Sequence, residues 1–224
     1  MKKLSLAVAL AFAAVGAQAL TVSGGSFSNA QTTTEIAQSG TLNLFNSSLG
    51  TLTDVELTIN GAMTTNITLS NSAAQTQTVK ADGTVNLFFT STLPQLNAAF
   101  ASPALVLAAT TGFQSIAAGA SVAFGPLVDS QMSTLNAALD AFIASFSAAG
   151  GGTFDIGCNS LSGLALTGGG GNVAAVQSTT AGCGASITYT FSETPPVQVS
   201  EPASLALVGL ALAAAGIAGR RKSA

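Results

Sequence analysis

Residues 51–61 read TLTDVELTING, and this stretch decides the fold class. Its apolar residues Val55, Leu57 and Ile59 alternate with polar ones. A period of two is typical of a β-strand with one face in the core and the other in water. Gly61 is expected to end this strand. The next stretch, TTNITLSN (64–71), continues the alternation, so the two segments are predicted to form a hairpin or to be close neighbours.

Strand patterns of the same kind occur along much of the chain. TVNLFFT (84–90) follows Asp82-Gly83, a predicted turn whose other arm is QTQTV (75–79). Four later pieces are also strand-like: TFDIGC (153–158), LSGLALT (161–167), NVAAV (172–176) and ASITYTF (185–191). In the last of them, Ile187, Tyr189 and Phe191 are expected to point to the same side. The chain is therefore predicted to be mainly β, as an antiparallel β-sandwich-like domain.

The period changes after Pro126. Apolar residues then recur every three or four positions up to the glycines at 150–152: Leu127, Val128, Met132, Leu135, Leu139, Phe142, Ile143 and Phe146. This spacing predicts one accessory helix, from Asp129 or Ser130 to about Ala148, with Asp129 as a candidate N-cap. A second, short helix is predicted over 94–101, because Pro103 prevents it from continuing.

The first 19 residues have the layout of a secretory signal peptide. Lys2 and Lys3 precede an apolar stretch over 4–15, and the small residues Ala17 and Ala19 form an A-x-A cleavage site. Because a membrane span needs about 20 apolar residues, cleavage after Ala19 is favoured over a permanent signal anchor.

The other end carries a second apolar stretch. Residues 205–219 contain no charge, Glu201 and Pro202 precede them, and a basic cluster follows. Such a stretch barely crosses a hydrocarbon core, so we expect a transmembrane helix that anchors the chain transiently in the inner membrane. The positive-inside tendency keeps the basic residues in the cytoplasm: Arg220, Arg221 and Lys222.

An acidic Pro motif, an apolar helix and an Arg-rich end, in this order, resemble the PEP-CTERM sorting signal of Gram-negative bacteria. The resemblance implies recognition by an exosortase-type membrane enzyme, removal of the helix, and delivery to the cell surface or to extracellular polysaccharide. The family's usual motif is Pro-Glu-Pro, whereas this chain has Ser200-Glu201-Pro202. The alternative is a tail anchor that is never cut.

Charge restricts the partners of the mature chain. Between Leu20 and Val199, Lys80 is the one basic residue, against eight acidic ones, which gives a formal charge of about −7. Nucleic-acid binding depends on Lys and Arg contacts to phosphates, so it is excluded for this region.

Cys158 and Cys183 are the only cysteines. Export would place them in an oxidising compartment, where a disulfide is expected. A metal or redox pair is not favoured, because the spacing is wrong for either and the chain has no His.

A second resemblance covers most of the mature chain. The stretches QTTTEIAQSGTLNLFNSSLGTLTDVELTINGAMTTNITLSN, FGPL and TAGCGASITYTF are similar to the choice-of-anchor E domain of secreted bacterial proteins. This resemblance implies a β-rich domain and brings no catalytic residues.

The predicted organisation is a signal peptide over 1–19, the β-rich domain over 20–194, a linker over 195–200 and the sorting signal over 201–224. Within the signal, the motif is 200–202, the apolar helix 204–219 and the basic end 220–222.

Catalytic constellations are scarce in this sequence. Without His, a Ser-His-Asp triad is impossible, and zinc chemistry has no imidazole ligand. The remaining acid–base candidates are carboxylates: Asp54, Glu56, Asp129, Asp140 and Asp155.

Ligand-binding motifs are also missing from the sequence. No segment matches the motif of a calcium-binding loop. The glycine run TGGGGN (167–172) lacks the Lys of a phosphate loop and is expected to be a mobile loop. The Thr-rich stretches have no fixed repeat, so a flat Thr-lined binding face is not favoured.

The sequence therefore predicts a secreted, exosortase-sorted protein of the cell surface or extracellular matrix, with a structural or adhesive role, no catalysis and no cofactor. The alternative from another class is a module that binds extracellular polysaccharide. A carboxylate-dependent hydrolase is the least favoured hypothesis.

Overall fold

The computed structural model describes residues 19–193, and these consist mainly of β-strands in antiparallel sheets. Apart from Glu193, they belong to one compact unit, Gln18–Ser192. The predicted signal-peptide core, the linker and the sorting signal lie outside the described residues.

Five strands form the first sheet, which we call sheet I. They are β1 (Ala19–Ser28), β2 (Thr32–Thr33), β5 (Gly50–Asn71), β9 (Ser121–Leu135) and β12 (Val173–Glu193). Their order is β1-β12-β5-β9, with β2 paired to β12 beyond the end of β1.

Another five strands form sheet II. They are β3 (Ala37–Asn43), β6 (Gln77–Ser91), β7 (Leu105–Thr110), β8 (Gln114–Ile116) and β11 (Thr153–Gly168). Their order is β3-β11-β6-β7, and β8 pairs with the first residues of β6. Two short strands, β4 (Phe45–Asn46) and β10 (Ser147–Ala148), form a separate parallel pair.

Helical structure is limited within the described range. The α-helix α1 (Pro94–Asn97) has four residues and lies where a short helix was predicted. Three 3-10 turns cover Ser47–Leu49, Asp140–Phe146 and Gly169–Gly171. No helix in 19–193 is long and apolar enough to cross a membrane.

The core lies between the two sheets and follows from the period of two. In β5, Val55, Leu57 and Ile59 are buried, whereas Glu56 on the other face is exposed. The main cluster joins such residues of sheet I to those of sheet II, including Leu87 of β6. A smaller cluster around Ile67 extends it toward one end of the molecule. Ile187, Tyr189 and Phe191 of β12 are all buried, which confirms the expected face of the last strand.

The predicted hairpin at Gly61 is wrong, because β5 continues without a break through that residue. Gly61 faces the core, and a Cβ there would collide with Leu87 Cδ1 on the opposing sheet. The glycine therefore does not form a turn. It lets β5 of sheet I approach β6 of sheet II closely.

The predicted turn at Asp82-Gly83 is also wrong, because the strand continues through these two residues. β6 runs from Gln77 to Ser91, and Gly83 is buried within it. Likewise, TFDIGC and LSGLALT belong to the single strand β11, and NVAAV and ASITYTF to the single strand β12. The glycine run 168–171 includes the 3-10 turn that joins β11 to β12.

The accessory helix predicted from Asp129 or Ser130 to Ala148 is also wrong. The first half of that range lies in β9, and the second half includes the 3-10 turn Asp140–Phe146. Asp129 is therefore not an N-cap. Its Oδ2 instead accepts a hydrogen bond from the backbone N–H of Ala108 in β7, at 2.8 Å.

Candidate functional site

Cys158 and Cys183 form a disulfide that joins the two sheets. Cys158 lies in β11 and Cys183 in β12, and both are buried in the main core. Buried inward positions on facing strands bring the two thiols together, so the bond links the layers through the core. Within 19–193 no free cysteine remains.

Most of the predicted sorting and processing residues lie outside the described residues: Ala17, Ser200, Glu201, Pro202, Arg220, Arg221 and Lys222. Ala19, the last residue of the predicted cleavage site, begins β1 and is the register partner of Ser192 in β12.

The five candidate carboxylates are not gathered into one site. Asp54 and Glu56 lie on the outer face of sheet I, whereas Asp155 lies on the outer face of sheet II. Asp129 lies beside the edge of β7, and Asp140 begins a 3-10 turn. The structure therefore provides no acid–base pair from this set.

Local hydrogen bonds engage three of these carboxylates. Asp155 Oδ1 accepts from Thr41 Oγ1 of β3 at 2.6 Å, and Asp54 Oδ2 accepts from Asn136 Nδ2 at 3.3 Å. Together with the Asp129 bond to β7, these contacts join neighbouring strands and loops. Among residues 19–193, no group of three His, Cys, Asp or Glu side chains could hold a metal ion.

Glu35 is a structural carboxylate that sequence analysis did not single out. Its Oε1 accepts from the backbone N–H and from Oγ of Ser162 in β11, each at 2.8 Å. The next residue, Ile36, also contacts β11, because its N–H donates to Ser160 Oγ at 2.9 Å. The segment between β2 and β3 is thereby held against the edge of β11.

The outer face of sheet I carries an uncharged trough that the sequence analysis also missed. The cavity has a volume of about 200 Å³. Its lining consists of small, amide-bearing and apolar residues: Ser28, Asn29, Gln31, Asn60, Gly61, Ala62, Ser130, Gln131, Met132, Gly182 and Cys183. None of these side chains is ionised, so the trough suits a neutral polar ligand.

Glycines form the base of this trough. Ala181, Cys183 and Ala185 of β12 are buried in the core, so Gly182 and Gly184 occupy the opposite face of the strand. A Cβ on Gly182 would lie 2.7 Å from Asn29 O, and one on Gly184 would lie 2.8 Å from Asn60 Oδ1. A side chain at Gly182, which lines the trough, would occupy part of the depression. The alternation Gly-Cys-Gly at 182–184 was the sequence signal for it.

Hydrogen-bonding groups surround the glycines. Gln31 Oε1 accepts from Thr180 Oγ1 at 3.0 Å, and Asn29 Nδ2 donates to Ser39 O at 3.2 Å. The side-chain amide of Asn60 makes no hydrogen bond to another described residue, and Met132, its register partner on β9, is 74% exposed. A free amide can bind the hydroxyl groups of a sugar, and an apolar surface beside it can contact the carbon face of the ring.

Two ionisable groups have shifted pKa values. Burial raises the pKa of Tyr189, whose hydroxyl donates to Asn43 O at 2.7 Å. Hydrogen bonds from Lys80 and Thr110 lower the pKa of Asp82, and the Lys80 Nζ–Asp82 Oδ2 distance is 2.7 Å. Both are structural contacts and lie away from the trough lining.

The tail of the chain matches a known family model. Residues 198–222 match the PEP-CTERM protein-sorting motif, in agreement with the resemblance drawn from Glu201-Pro202 and the basic end. The motif implies export to the envelope or surface of a Gram-negative bacterium and processing by an exosortase. The resemblance of residues 20–194 to the choice-of-anchor E domain is not confirmed.

Comparison with curated proteins gives no significant match. Among solved structures, the T13 particle of infectious bursal disease virus is 11% identical, over 88% of this chain and 46% of that chain, with a TM-score of 0.16. The VP2 subviral particle of the same virus is 11% identical, over 94% and 52%, also with a TM-score of 0.16. The chain thus spans about half the length of these proteins. The TM-scores are too low to support any argument about fold or function.

Proposed function

We propose that this protein is a non-catalytic surface protein, which an exosortase processes and releases to the cell surface or the extracellular matrix, where its β-domain has a structural or adhesive role. The observation that carries the proposal is the sorting motif at 198–222 behind a disulfide-linked β-domain. The engagement of Asp54, Asp129 and Asp155 in local hydrogen bonds supports a role without catalysis.

Intact mass spectrometry of the protein from envelope and medium of its native host tests this proposal. We expect loss of residues 1–19 and of the tail beyond about Pro202, and a gain of two hydrogens on reduction. A matched strain without the exosortase should retain the tail. An intact tail in the wild-type strain, or absence of the protein from surface and medium, would contradict the proposal.

The motif itself offers a graded test. Ser200→Pro restores the family's usual Pro-Glu-Pro, so this variant should be processed at least as completely as the wild type. Glu201→Ala removes the acidic residue and should accumulate in the membrane fraction with its tail. Equal processing of both variants would show that residues 200–202 are not read.

The uncharged trough favours a second candidate function, binding of a neutral extracellular polysaccharide. Asn60 would donate and accept hydrogen bonds with sugar hydroxyls, and Met132, its register partner on β9, would contact a ring face. Binding of the protein to purified matrix glycan should be saturable and weaker for Met132→Ala and Asn60→Ala. Asn66→Ala, at an exposed position of the same strand, is the matched control. No saturable binding, or equal loss in the control, would exclude this function.

A further inference from the structure

One side of the molecule has an incompletely paired edge in both sheets. In sheet II, β3 pairs with β11 only over Thr153–Asn159, whereas β11 continues to Gly168 with β6 on its other side. In sheet I, β2 pairs with β12 at residues 180–181 and β1 pairs from residue 184 onward. Within the described part of the chain, residues 163–168 and 173–178 therefore have no strand neighbour on this side.

The direction of the free backbone groups follows from the neighbouring bonds. Ser160 N–H donates to Ile36 O at 3.2 Å, and Ser162 N–H donates to Glu35 Oε1 at 2.8 Å. Both point away from β6. Because direction alternates along a strand, the N–H and C=O groups of Leu164 and Leu166 point the same way, with no partner among the described residues. They form a short template for an added strand.

The residues with these free backbone groups also carry apolar side chains. Leu164 and Leu166 are register partners of the buried residues Gly83 and Ala81, so they face the space between the sheets. They are nevertheless 37% and 42% exposed. Next to Leu164 lies a cavity of about 240 Å³, lined also by Gln177, whose buried Oε1 has no hydrogen-bond partner. This end of the intersheet space is therefore only partly covered.

The edge also lacks the features that usually prevent association. Between residues 156 and 192 the sequence contains no Asp, Glu, Lys, Arg or Pro. The opposite side of the molecule has several: Pro126 and a register shift in β9, and Asp129 on the backbone of β7. Charges, prolines and bulges are common protections of edge strands, and beyond the Glu35 contact the β11 edge has none of them.

We infer that the free edge of β11 within 163–168 pairs antiparallel with the same edge of a second copy of this chain, with Leu164 of each copy opposite Leu166 of the other, which forms a two-fold dimer with a continuous sheet. An antiparallel edge is complementary to itself, as an isologous interface requires. The mature chain has a formal charge of about −7, so copies repel one another over most surfaces, and this charge-free edge is where they can approach. The inference concerns the folded β-domain and does not depend on the proposed function.

Hydrogen exchange of the full-length wild-type chain in mild detergent tests the pairing without any substitution. The Leu164 and Leu166 amides should be protected at high protein concentration and exchange rapidly at low concentration. Association through the tail would change the mass of the particle but leave these two amides unprotected. Exchange at Leu164 and Leu166 that is rapid and independent of concentration would overturn the inference.

Sedimentation of variants provides the second test. Leu166→Lys places a charge in the interface and should weaken the dimer by about tenfold or more in Kd. Leu164→Pro removes an N–H that makes no described bond within the chain and should have the same effect. Val128→Lys, at a 70% exposed position of β9, is the matched control and should dimerise like the wild type. A monomeric wild type at every concentration, or edge variants that dimerise as it does, would contradict the inference.

Discussion

Gly61 lies in the middle of the longest strand because the facing sheet leaves no room for a side chain there. A Cβ at this position would overlap Leu87 Cδ1, and Leu105 Cδ1 would lie 3.4 Å away. Leu87 is fully buried and Leu105 almost so, which leaves little space for either to move. A missing side chain in sheet I thus accommodates a large one in sheet II.

Gly61→Ala should therefore destabilise the protein. Overpacking of a tight core costs about 1–3 kcal/mol, which urea denaturation would measure as a lower midpoint at unchanged slope. Leu87→Val shortens the side chain that collides, so the double variant should lose less stability than the two single variants predict. Additive losses would show that the two residues do not compete for space.

The Cys158–Cys183 pair closes a loop with a sequence separation of 25 between strands of different sheets. On the chain-entropy model, a loop of this size contributes about 3 kcal/mol. Reduction of the wild type, and the double variant Cys158→Ala with Cys183→Ala, should therefore lower the unfolding midpoint by similar amounts. An unchanged midpoint in both would mean that core packing alone fixes the distance between the sheets.

Lys80 and Asp82 form an exposed ion pair on β6, at a Nζ–Oδ2 distance of 2.7 Å. The hydrogen bond from Lys80, with that from Thr110, lowers the pKa of Asp82. A carboxyl with a depressed pKa contributes stability above its unfolded-state pKa, and this is lost as pH falls through the folded value. In an NMR titration, Lys80→Gln should raise the Asp82 midpoint, whereas Lys80→Arg should nearly preserve it. An equal midpoint in all three proteins would rule out the pair as the cause.

At the scale of single elements, β9 shows how an edge strand is protected. A register shift between Thr65 and Ile67 of β5 accompanies Pro126, and Asp129 accepts a hydrogen bond from Ala108 of β7. A proline and a bulge are tolerated at an edge, where some backbone groups have no neighbour. The carboxylate also connects this edge of sheet I to that of sheet II.

Asp129→Ala should leave the Ala108 N–H without its partner. The loss of such a bond costs about 1 kcal/mol at a partly exposed site, measurable as a lower midpoint in thermal or urea unfolding. The Ala108 amide should also exchange faster with solvent. Glu56→Ala, at an exposed position of β5, is the control and should change neither quantity. If Ala108 exchange is the same in both variants, the contact has no role in solution.

The sequence predicted element type well where one face of a strand is buried, and poorly at the edge. Val55, Leu57 and Ile59 show the period of two because β5 lies between β12 and β9 over a core. In β9 the constraint is weaker: Val128 and Met132 are 70% and 74% exposed, so apolar residues occur on both faces. Together with Leu139 and Phe146 of the 3-10 turn and its N-cap, they recur every three or four residues, which is the spacing expected of a helix.

Strand length was harder to predict than strand type. Gly61 and Gly83 were interpreted as chain breaks, although both are buried within long strands. A single sequence does not show whether a glycine serves a turn or a close approach, since the deciding residue, Leu87 for Gly61, is distant along the chain. The trough at Gly182 was missed for the same reason. Its walls come from β1, β5 and β9, which only the tertiary fold brings together.

At the scale of the whole molecule, β1 connects the two layers. It pairs with β12 from Ala19 to Ser28, opposite the last residues of the described chain. The Phe27 ring packs on Gly40 of β3, where a Cβ would overlap it. One strand thus completes sheet I and covers a glycine of sheet II, while the two ends of the compact unit come together at Ala19 and Ser192.

Residues 20–193 should consequently fold as an independent domain, since they contain both sheets, the disulfide and the main core. We expect a β-type circular dichroism spectrum and a single cooperative unfolding transition. A shorter chain over 32–193 lacks β1, so the β12 edge and the β3 surface under Phe27 become exposed. It should unfold at a lower denaturant concentration and exchange the β12 amides more rapidly. Equal stability of the two chains would show that β1 lies on the domain without stabilising it, and failure of 20–193 to fold would show that the domain depends on residues beyond this range.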